Sequence, residues 1–275
     1  MYVQTRKTSP LRTPFDAEHY WESRLSKRYD SQGVGDIGLP VSYNNDLYRI
    51  RGDAFSLALA KTKAKTRGAR VLDIGSGTGF YVRQWIDCEP DILVGSDITN
   101  TAVEALSQAV PSASFLRCDI GGELPDTITG QKFDFVSAMD ILFHIIDDAA
   151  YARAISNIGE MVHKGGHFIF SDNLSDRTIV HGPHQVSRAE NWTRELLAQY
   201  GFTVIGTVPM FVFMNDPVRS KSRILRKLFK LTYRLAARGE GWGRVIGALW
   251  LPLERLSIRT LTRGPSTELF ICRKV

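Results

Sequence analysis

Short apolar runs rich in β-branched residues alternate with amphipathic stretches from residue 69 onward. The runs are ARVLDI (69–74), DILVGSD (91–97), ASFLRCD (113–119), KFDFVSAMD (132–140), GHFIFSD (166–172), FTVIGTVPMFVFM (202–214) and TELFICRKV (267–275). Between most of them, apolar residues recur every three or four positions, as on one face of a helix. Strands that alternate with helices predict βαβ units and a parallel sheet with right-handed crossovers.

Helices are also predicted before this region and near its end. The pattern indicates one helix over 15–30 and another over 45–65, with the turn-rich stretch SQGVGDIGLP between them. The last two predicted strands lack a crossover of the usual kind, because a long basic segment separates them. We therefore expect a helical segment at 1–65, an α/β core at 66–216, a helical insertion at 217–263 and a final core strand at 264–275.

Polar residues mark the predicted helix starts in the core. Thr101 with Glu104, and Ser187 with Glu190, have the spacing of a capping box. Asp147 is placed to cap the helix that follows the fourth strand. These positions predict three helix N-termini.

A glycine-rich turn follows the first predicted strand, in the sequence DIGSGTG (73–79). Its glycines permit a tight strand-to-helix turn and close approach of a ligand to the backbone. The spacing differs from the dinucleotide fingerprint G-x-G-x-x-G, because Phe80 stands where the third glycine would be, and no GK[ST] follows as in a P-loop. An ordinary glycine-rich turn is the simplest alternative to a ligand-binding loop.

Acidic residues end the second and third strands at a constant spacing. Gly75 and Asp97 are 22 residues apart, and Asp97 and Asp119 are another 22 apart. Successive parallel strands therefore bring these groups to one edge of the sheet, and ligands of open α/β sheets bind at that carboxyl edge.

With these features the sequence resembles the class I S-adenosylmethionine-dependent methyltransferases. The resemblance lies in VLDIGSGTG (71–79), the strand-end acids Asp97 and Asp119, FDFVSAMD (133–140), KGGHFIFSD (164–172) and a final β-hairpin. It implies a Rossmann-like doubly wound seven-stranded sheet whose last strand is antiparallel, with S-adenosyl-L-methionine as cofactor. It also implies that 1–65 forms an N-terminal helical lid and that the insertion lies between strands six and seven.

The resemblance assigns roles to individual residues. The loop of Gly75, Ser76, Gly77 and Gly79 would face the amino-acid and ribose portions of the cofactor, with Asp73 organising the methionine end. Asp97 would accept hydrogen bonds from both ribose hydroxyls, as an acceptor-only carboxylate can. The remaining implied contacts are Ile98, Asp119 and Ile120 around the adenosine, and Met139. From the lid, Tyr20, Tyr43 and Arg51 are candidates for the pocket, although packing within the lid accounts for them as well.

Histidines near the expected pocket are candidates for a general base. Methyl transfer from a sulfonium to an alcohol requires alignment and removal of a proton, and histidine titrates closest to neutrality. His144 follows the fourth strand, and His181 and His184 lie in the loop after the fifth. For His144, an orienting role for the next helix is an equal alternative. His163 and His167 are expected at the opposite end of the sheet.

We expect no metal site. Asp172-Asn173 after the fifth strand is similar to the magnesium-binding pair of catechol methyltransferases, but Met139 stands where their partner acid would be. Asp140 is one residue late, so its side chain points elsewhere. The stretch Met139-Asp140-Ile141-Leu142 also lacks the (Asn/Asp)-Pro-Pro-aromatic motif of base and amide N-methyltransferases. O-, C- or aliphatic N-methylation remains, and O-methylation is the main expectation.

The basic charge is concentrated in the insertion. The net charge is +6, and 217–263 holds twelve Lys or Arg against two Glu, so this segment carries +10 and the rest of the chain −4. SRILRKLFKLTYRLAAR (222–238) predicts a basic amphipathic helix, and a second helix is predicted from Arg244 with an interruption near Pro252. The insertion either roofs the active site with a solvated face or contacts an anionic membrane or lipid-linked substrate. RNA is a weaker alternative, because interleaved aromatic residues are sparse.

Composition and apolar stretches also bear on the cellular location of the protein. The longest apolar stretch, 245–253, is too short to span a membrane, and the first fifteen residues lack the apolar region of a secretory signal. Three dispersed cysteines favour a reducing compartment. We expect a cytoplasmic methyltransferase for a small-molecule or lipid-like acceptor, possible alternatives being a membrane-associated enzyme for an isoprenoid or glycan-lipid and a non-catalytic S-adenosylmethionine-binding protein. Nucleic acid is not an expected partner.

Overall fold

A computed structural model describes residues 15–275, so the first fourteen residues of the expected lid lie outside the described part. The strands are β1 (Arg70–Ile74), β2 (Ile92–Asp97), β3 (Ser114–Arg117), β4 (Phe133–Ala138), β5 (Val162–Asp172), β6 (Ile179–Gly182), β7 (Gln185–Ser187), β8 (Phe202–Pro209) and β9 (Glu268–Lys274). The helices are α1 (Ala17–Leu25), α2 (Ser31–Val34), α3 (Val41–Thr62), α4 (Phe80–Ile86), α5 (Asn100–Ala109), α6 (Asp148–Met161), α7 (Glu190–Gln199), α8 (Arg223–Ala236) and α9 (Glu240–Thr260), with a short 3₁₀ turn at Leu142–His144.

Seven strands form one sheet in the order β3-β2-β1-β4-β5-β9-β8. Strands β1 to β5 pair in parallel, whereas β9 runs antiparallel to both β5 and β8. The strand order reverses between β1 and β4, which is the switch point where open α/β sheets bind ligands. The predicted doubly wound sheet with an antiparallel last strand is confirmed.

Apolar side chains alternate between two cores, one on each face of the sheet. Val71 and Phe135 join the core beneath α3 and α4, while their neighbours Leu72 and Val136 join the core beneath α6 and α7. Because successive strand residues point to opposite faces, continuous apolar runs of this kind are required when both faces are covered.

The N-terminal helices differ from the predicted boundaries. The helix predicted over 15–30 ends at Leu25, and Asp30 instead caps the short α2 by accepting hydrogen bonds from the backbone of Gln32 and Gly33 at 2.9 Å. The next helix begins at Val41, directly after Pro40, because proline is well suited to a helix start.

The strand predicted over 202–214 is also shorter, since β8 ends at Pro209. Beyond it, the backbone N–H groups of Val212 and Phe213 donate to the buried carboxylate of Glu254 on α9. The Glu254 side chain therefore satisfies backbone N–H groups that a neighbouring strand would pair with if β8 continued. The predicted loop after β5 contains the two-stranded β6–β7 hairpin, which the sequence pattern did not reveal.

The insertion between β8 and β9 consists of α8 and α9, and α9 packs against α3. The predicted interruption of α9 near Pro252 is wrong, because the helix continues through it to Thr260. Proline removes the bond to the carbonyl of Ala248, which is exposed, so water can satisfy that oxygen. Within residues 15–275, no helix combines the length and apolar character needed to cross a bilayer.

Candidate functional site

A cavity of about 440 Å³ opens at the carboxyl ends of β1, β2 and β4, beneath the N-terminal helices. Its volume is within the range of small-ligand pockets. Its wall includes most of the residues implied by the resemblance: Gly75, Ser76, Gly77, Asp97, Ile98, Asp119, Ile120 and Met139. Of the implied cofactor contacts, only Asp73 and Gly79 lie outside this lining.

The glycine loop passes close to the wall of the cavity in left-handed backbone conformations. Gly75 has a φ of +71°, and a Cβ at this position would clash with the side chain of Ile141. The N–H groups of Gly75 and Ser76 both donate to the carbonyl of Ser96, at 2.7 and 2.9 Å. These bonds tie the loop to the end of β2 and leave a space that only glycine keeps open.

Asp97 joins the glycine loop to the start of α5. One carboxylate oxygen accepts from the N–H of Gly77 at 2.8 Å, and the other accepts from the N–H and hydroxyl of Thr99 at 2.9 and 2.7 Å. Burial raises the pKa of Asp97 above its usual value, and these hydrogen bonds oppose that rise. The fixed carboxylate lines the cavity and has lone pairs left for ligand hydroxyls.

The side chain of Asp73, on β1 just before the glycine loop, is buried and held by a hydrogen bond. Its Oδ1 accepts from Ser137 Oγ at 2.6 Å, and that hydroxyl in turn accepts from Trp85 Nε1 at 2.8 Å. Its Oδ2 is buried with no partner in the described chain. Burial raises the pKa of Asp73 to about 7. A cationic amine near the loop would supply the missing donor.

The lining of the cavity is acidic, and two of its acids are ion-paired, Asp140 with Arg51 and Glu18 with Arg117. Its acidic residues are Asp16, Glu18, Asp97, Asp119, Asp140 and Asp147. No Lys or Arg lines it within residues 15–275. Such a lining favours a ligand with positive charge, as a sulfonium and an α-amino group have, and no phosphate clamp is present there.

Arg51 on α3 lies directly behind this wall. Its Nε donates to Asp140 at 2.6 Å, and its guanidinium lies near the rings of Tyr48 and Phe211 at 4.9 and 5.0 Å. Its Nη1 is buried and has no partner among the described residues. An anionic group such as an amino-acid carboxylate would satisfy it. The sequence placed Arg51 among the lid candidates but gave no sign of the pair with Asp140.

The N-terminal segment covers the cavity. Trp21 and Leu25 of α1 line it, and Tyr29 donates to the carbonyl of Gly77 at 2.9 Å. Glu22 accepts from the N–H of Asn100 at 2.8 Å at the start of α5. The lid is thereby fastened to the glycine loop and to the start of α5, and the pattern of the sequence did not single out Glu22 or Tyr29.

The other two candidates from the lid, Tyr43 and Tyr20, contact different parts of the protein from Arg51. Tyr43 is buried and donates to the carbonyl of Met214 at 3.3 Å, so it packs within the protein. Tyr20 stacks on the imidazole of His184 with ring centroids 5.2 Å apart.

His144 is the one of the three candidate bases that lines the cavity. Its Nδ1 lies 2.7 Å from the backbone carbonyl of His184, and a carbonyl can only accept, so Nδ1 carries the proton. Nε2 is then an unprotonated acceptor with no partner within residues 15–275. Burial lowers the pKa of His144 to about 4, which keeps the ring neutral at physiological pH.

His184 and His181 lie on or beside the β6–β7 hairpin, outside the cavity lining. The ring of His184 stacks on His144 at 5.7 Å, and burial lowers its pKa. The Nε2 of His181 lies 2.7 Å from the hydroxyl of Ser187 across the hairpin. The structure therefore groups His144 with His184 and separates His181 from them. His163 contacts Asp134 at the start of β4, at the opposite sheet edge as expected.

Asp172 and Asn173 take part in structural contacts. Asp172 accepts from Tyr151 at 3.2 Å, and Asn173 accepts from Thr267 at 2.6 Å. Burial raises the pKa of Asp172 to about 7. In residues 15–275 the structure assembles no group of three His, Cys, Asp or Glu side chains suited to a metal ion.

Comparisons with known proteins agree with this geometry. Residues 71–166 match the family model described as a methyltransferase domain. The fold is similar to that of an S-adenosylmethionine-dependent methyltransferase from Mesorhizobium loti, at 17% identity over 81% of this chain and 98% of that chain, with a TM-score of 0.52. No curated protein matches the sequence.

Two further solved structures share the fold. One is magnesium protoporphyrin IX methyltransferase from Synechocystis PCC 6803 with bound SAM, at 15% identity over 96% of this chain and 100% of that chain, with a TM-score of 0.59. The other is the N-methyltransferase NodS from Bradyrhizobium japonicum WM9 in complex with S-adenosyl-L-homocysteine, at 12% identity over 94% of this chain and 97% of that chain, with a TM-score of 0.54.

The fold, the glycine loop with its strand-end acids and the family match define the class of protein. The chain carries a methyltransferase domain at residues 71–166 and has the fold of S-adenosylmethionine-dependent methyltransferases. It is an enzyme whose cofactor is S-adenosyl-L-methionine.

Proposed function

We propose that the enzyme methylates a hydroxyl group on a small or lipid-like acceptor, with His144 as the proton acceptor. The observation that carries this proposal is the fixed tautomer of His144. Its Nδ1 is committed to the carbonyl of His184, and Nε2 is free at a residue that lines the cavity.

The cavity walls support an acceptor with an apolar body. Beyond the implied cofactor contacts, the lining is largely aromatic and aliphatic, and includes Trp21, Leu25, Val34, Ile145 and Ile146. The carboxylates repel an anionic acceptor from the same space. A neutral molecule with one hydroxyl fits both properties.

The chain's own residues perform three tasks in this reaction. The glycine loop, Asp97 and Asp119 would hold the cofactor, and the Nη1 of Arg51 would be the donor for its carboxylate. Bound S-adenosylmethionine supplies a methyl group on a sulfonium, which is already an activated leaving group. The lid of α1 and α2 excludes water, and His144 Nε2 removes the hydroxyl proton as the oxygen attacks.

The test compares His144→Gln with His181→Gln in initial-rate assays over neutral alcohols, phenols, isoprenoid alcohols and amines. We expect His144→Gln to lower kcat at least about a hundredfold, the usual contribution of a positioned general base, while cofactor affinity stays unchanged. His181→Gln, outside the cavity, retains activity. Equal turnover by wild type and His144→Gln would refute the base assignment, and turnover of amines alone would replace O-methylation by N-methylation.

A membrane-associated enzyme for an isoprenoid or glycan-lipid is the second candidate. The observation that favours it is the basic insertion, because its helices expose cationic and apolar side chains together. Turnover of a lipid-linked alcohol in mixed micelles, with none of its short-chain analogue, would select this candidate.

A further inference from the structure

Helix α9 exposes a stripe of large apolar side chains. Its members are Trp242, Val245, Leu249, Leu253 and Leu256. At 3.6 residues per turn these five positions fall within about a quarter of the helix circumference. Leu249 is 65% exposed and Leu256 is 60% exposed, so no described part of the chain covers the stripe. The opposite face of α9 is buried, and it includes Glu254 and Ile258.

Helix α8 repeats the arrangement. Ile224 is 81% exposed and Leu231 is 56% exposed, and the half-buried Leu228 and Leu235 lie on the same side. The two helices are packed against each other. A contiguous exposed apolar surface is uncommon on a soluble domain and marks a site of interaction.

Basic residues run alongside both stripes. On α9 they are Arg244, Arg255 and Arg259, and on α8 they are Arg223, Arg226, Lys227, Lys230 and Arg234. The two acids of this region are engaged elsewhere. Glu240 accepts from the N–H groups of Val41 and Ser42, and Glu254 is buried. The exposed faces of these helices therefore carry cationic and apolar side chains and no acid of their own.

Three of these arginines border a groove between α3 and α9. The groove measures about 500 Å³, and its polar lining is Asp46, Arg49, Arg244, Arg255 and Arg259. Asp46 pairs with Arg49, and Asp53 pairs with Arg255. Within residues 15–275, Arg244 and Arg259 form no ion pair. The groove thus offers two uncompensated guanidinium groups beside an apolar surface.

This groove adjoins a second groove, which in turn adjoins the cofactor cavity. It shares Arg49 and Arg255 with a neighbouring groove, and that groove shares Tyr48, Thr78 and Phe80 with the cavity wall. A molecule held at α9 is therefore separated from the cofactor cavity by one intervening groove.

We propose that the α8–α9 surface, formed by the two apolar stripes and their flanking basic residues, docks on an anionic lipid bilayer. Apolar side chains enter the boundary between headgroups and acyl chains, while arginine binds the lipid phosphates. A second copy of the chain is a poorer occupant, because a two-fold contact would bring these cationic rows together.

Sedimentation of the full chain with vesicles tests this proposal. We expect binding to phosphatidylcholine vesicles that contain phosphatidylglycerol, at least tenfold weaker binding to phosphatidylcholine alone, and loss of binding as salt shortens the screening length. Leu249→Glu/Leu256→Glu should abolish binding. Arg244→Gln/Arg259→Gln should weaken it about twentyfold, because each basic residue near such a surface contributes roughly fivefold.

Matched controls keep the test specific. Val180→Glu replaces an apolar side chain that is 70% exposed on β6, and Lys27→Gln/Arg177→Gln removes two exposed charges elsewhere. Both controls should bind as wild type does. The proposal is overturned if wild type fails to bind at low salt or if the α9 variants bind normally. It is likewise overturned if wild type does not bind vesicles but is a dimer in sedimentation equilibrium, and Leu249→Glu/Leu256→Glu is a monomer. The surface would then be an interface between two copies of the chain.

Discussion

Arg51 and Asp140 form an ion pair of 2.6 Å between Nε and Oδ2 that links α3 to the loop after β4. Asp140 occupies the left-handed region at a φ of +59°, which is unusual for a residue with a side chain. Its N–H donates to Ser171 Oγ at 2.7 Å, and that hydroxyl donates back to Oδ1 at 2.9 Å. The cavity wall is thus held in place from α3 and β5 together.

Replacing Arg51 by Met should weaken both folding and cofactor binding. Asp140 would lose its cationic partner in a partly buried place, at a cost of about 1–3 kcal/mol in the free energy of unfolding. S-adenosylmethionine should bind at least about tenfold more weakly, because a charge-assisted bond is worth roughly 1.5–3 kcal/mol. Calorimetry and urea unfolding measure the two effects. Arg49→Met is the control for cofactor affinity, because it also removes an ion pair, with Asp46, but lies outside the cavity lining. Equal affinity in both variants would contradict the assignment.

Gly75→Ala should weaken cofactor binding. The new Cβ would clash with Ile141 in addition to the cost of about 1–2 kcal/mol for a left-handed conformation. Gly130→Ala separates the two effects, since Gly130 has a φ of +76° and open space around its Cβ position. We expect only the backbone cost in Gly130→Ala, with normal binding of S-adenosyl-L-homocysteine. Normal binding by Gly75→Ala would show that the loop is not the cofactor cradle.

The sheet and the cofactor edge were predictable because each depends on local signals in one strand and its following turn. The apolar runs identified seven strands of the sheet, and the strand-end residues Asp97, Asp119 and Met139 meet at the cavity. Regular spacing carries this information, since a parallel sheet aligns the ends of its strands. Asp147 was also predicted correctly as a helix cap, and it accepts from the N–H of Ala150 at 2.7 Å.

Contacts between distant segments were not predictable. The expected capping box at Thr101 is wrong, because α5 is capped by Thr99 and the N–H of Thr101 faces Glu22 from the lid. The box expected at Ser187 is wrong as well, because Ser187 pairs in β7 and α7 begins after Ala189. At Thr101 a partner from the distant lid replaced the local one, whereas Ser187 pairs within the β6–β7 hairpin that the pattern did not reveal.

Asp97→Asn should reduce cofactor affinity and stability together. The two carboxylate oxygens accept three hydrogen bonds from Gly77 and Thr99. In either orientation of the amide, its NH₂ group faces the N–H of Gly77 or the donors of Thr99. Two donors then face each other, and a hydrogen bond is lost at a cost of about 1–3 kcal/mol. Calorimetry should give at least a tenfold weaker complex with S-adenosyl-L-homocysteine. Asp91→Asn, at the exposed opposite end of β2, should leave both properties unchanged, and an unaffected Asp97→Asn would remove this carboxylate from the site.

His144 should make the enzyme less stable as the pH falls from 6.5 to 4. Burial lowers its pKa to about 4 in the folded chain, so the unfolded chain binds more protons across this interval. At pH 5 the penalty is about 1–2 kcal/mol, and it vanishes above the ordinary histidine pKa near 6.5. Urea unfolding should therefore show that His144→Gln gains stability relative to wild type at pH 5 but not at pH 7.5. His163→Gln is the control of opposite sign, because the hydrogen bond to Asp134 raises the pKa of His163, and wild type then gains stability over the variant as the pH falls. A difference between wild type and His144→Gln that does not change with pH would mean that this imidazole is solvated in the folded enzyme.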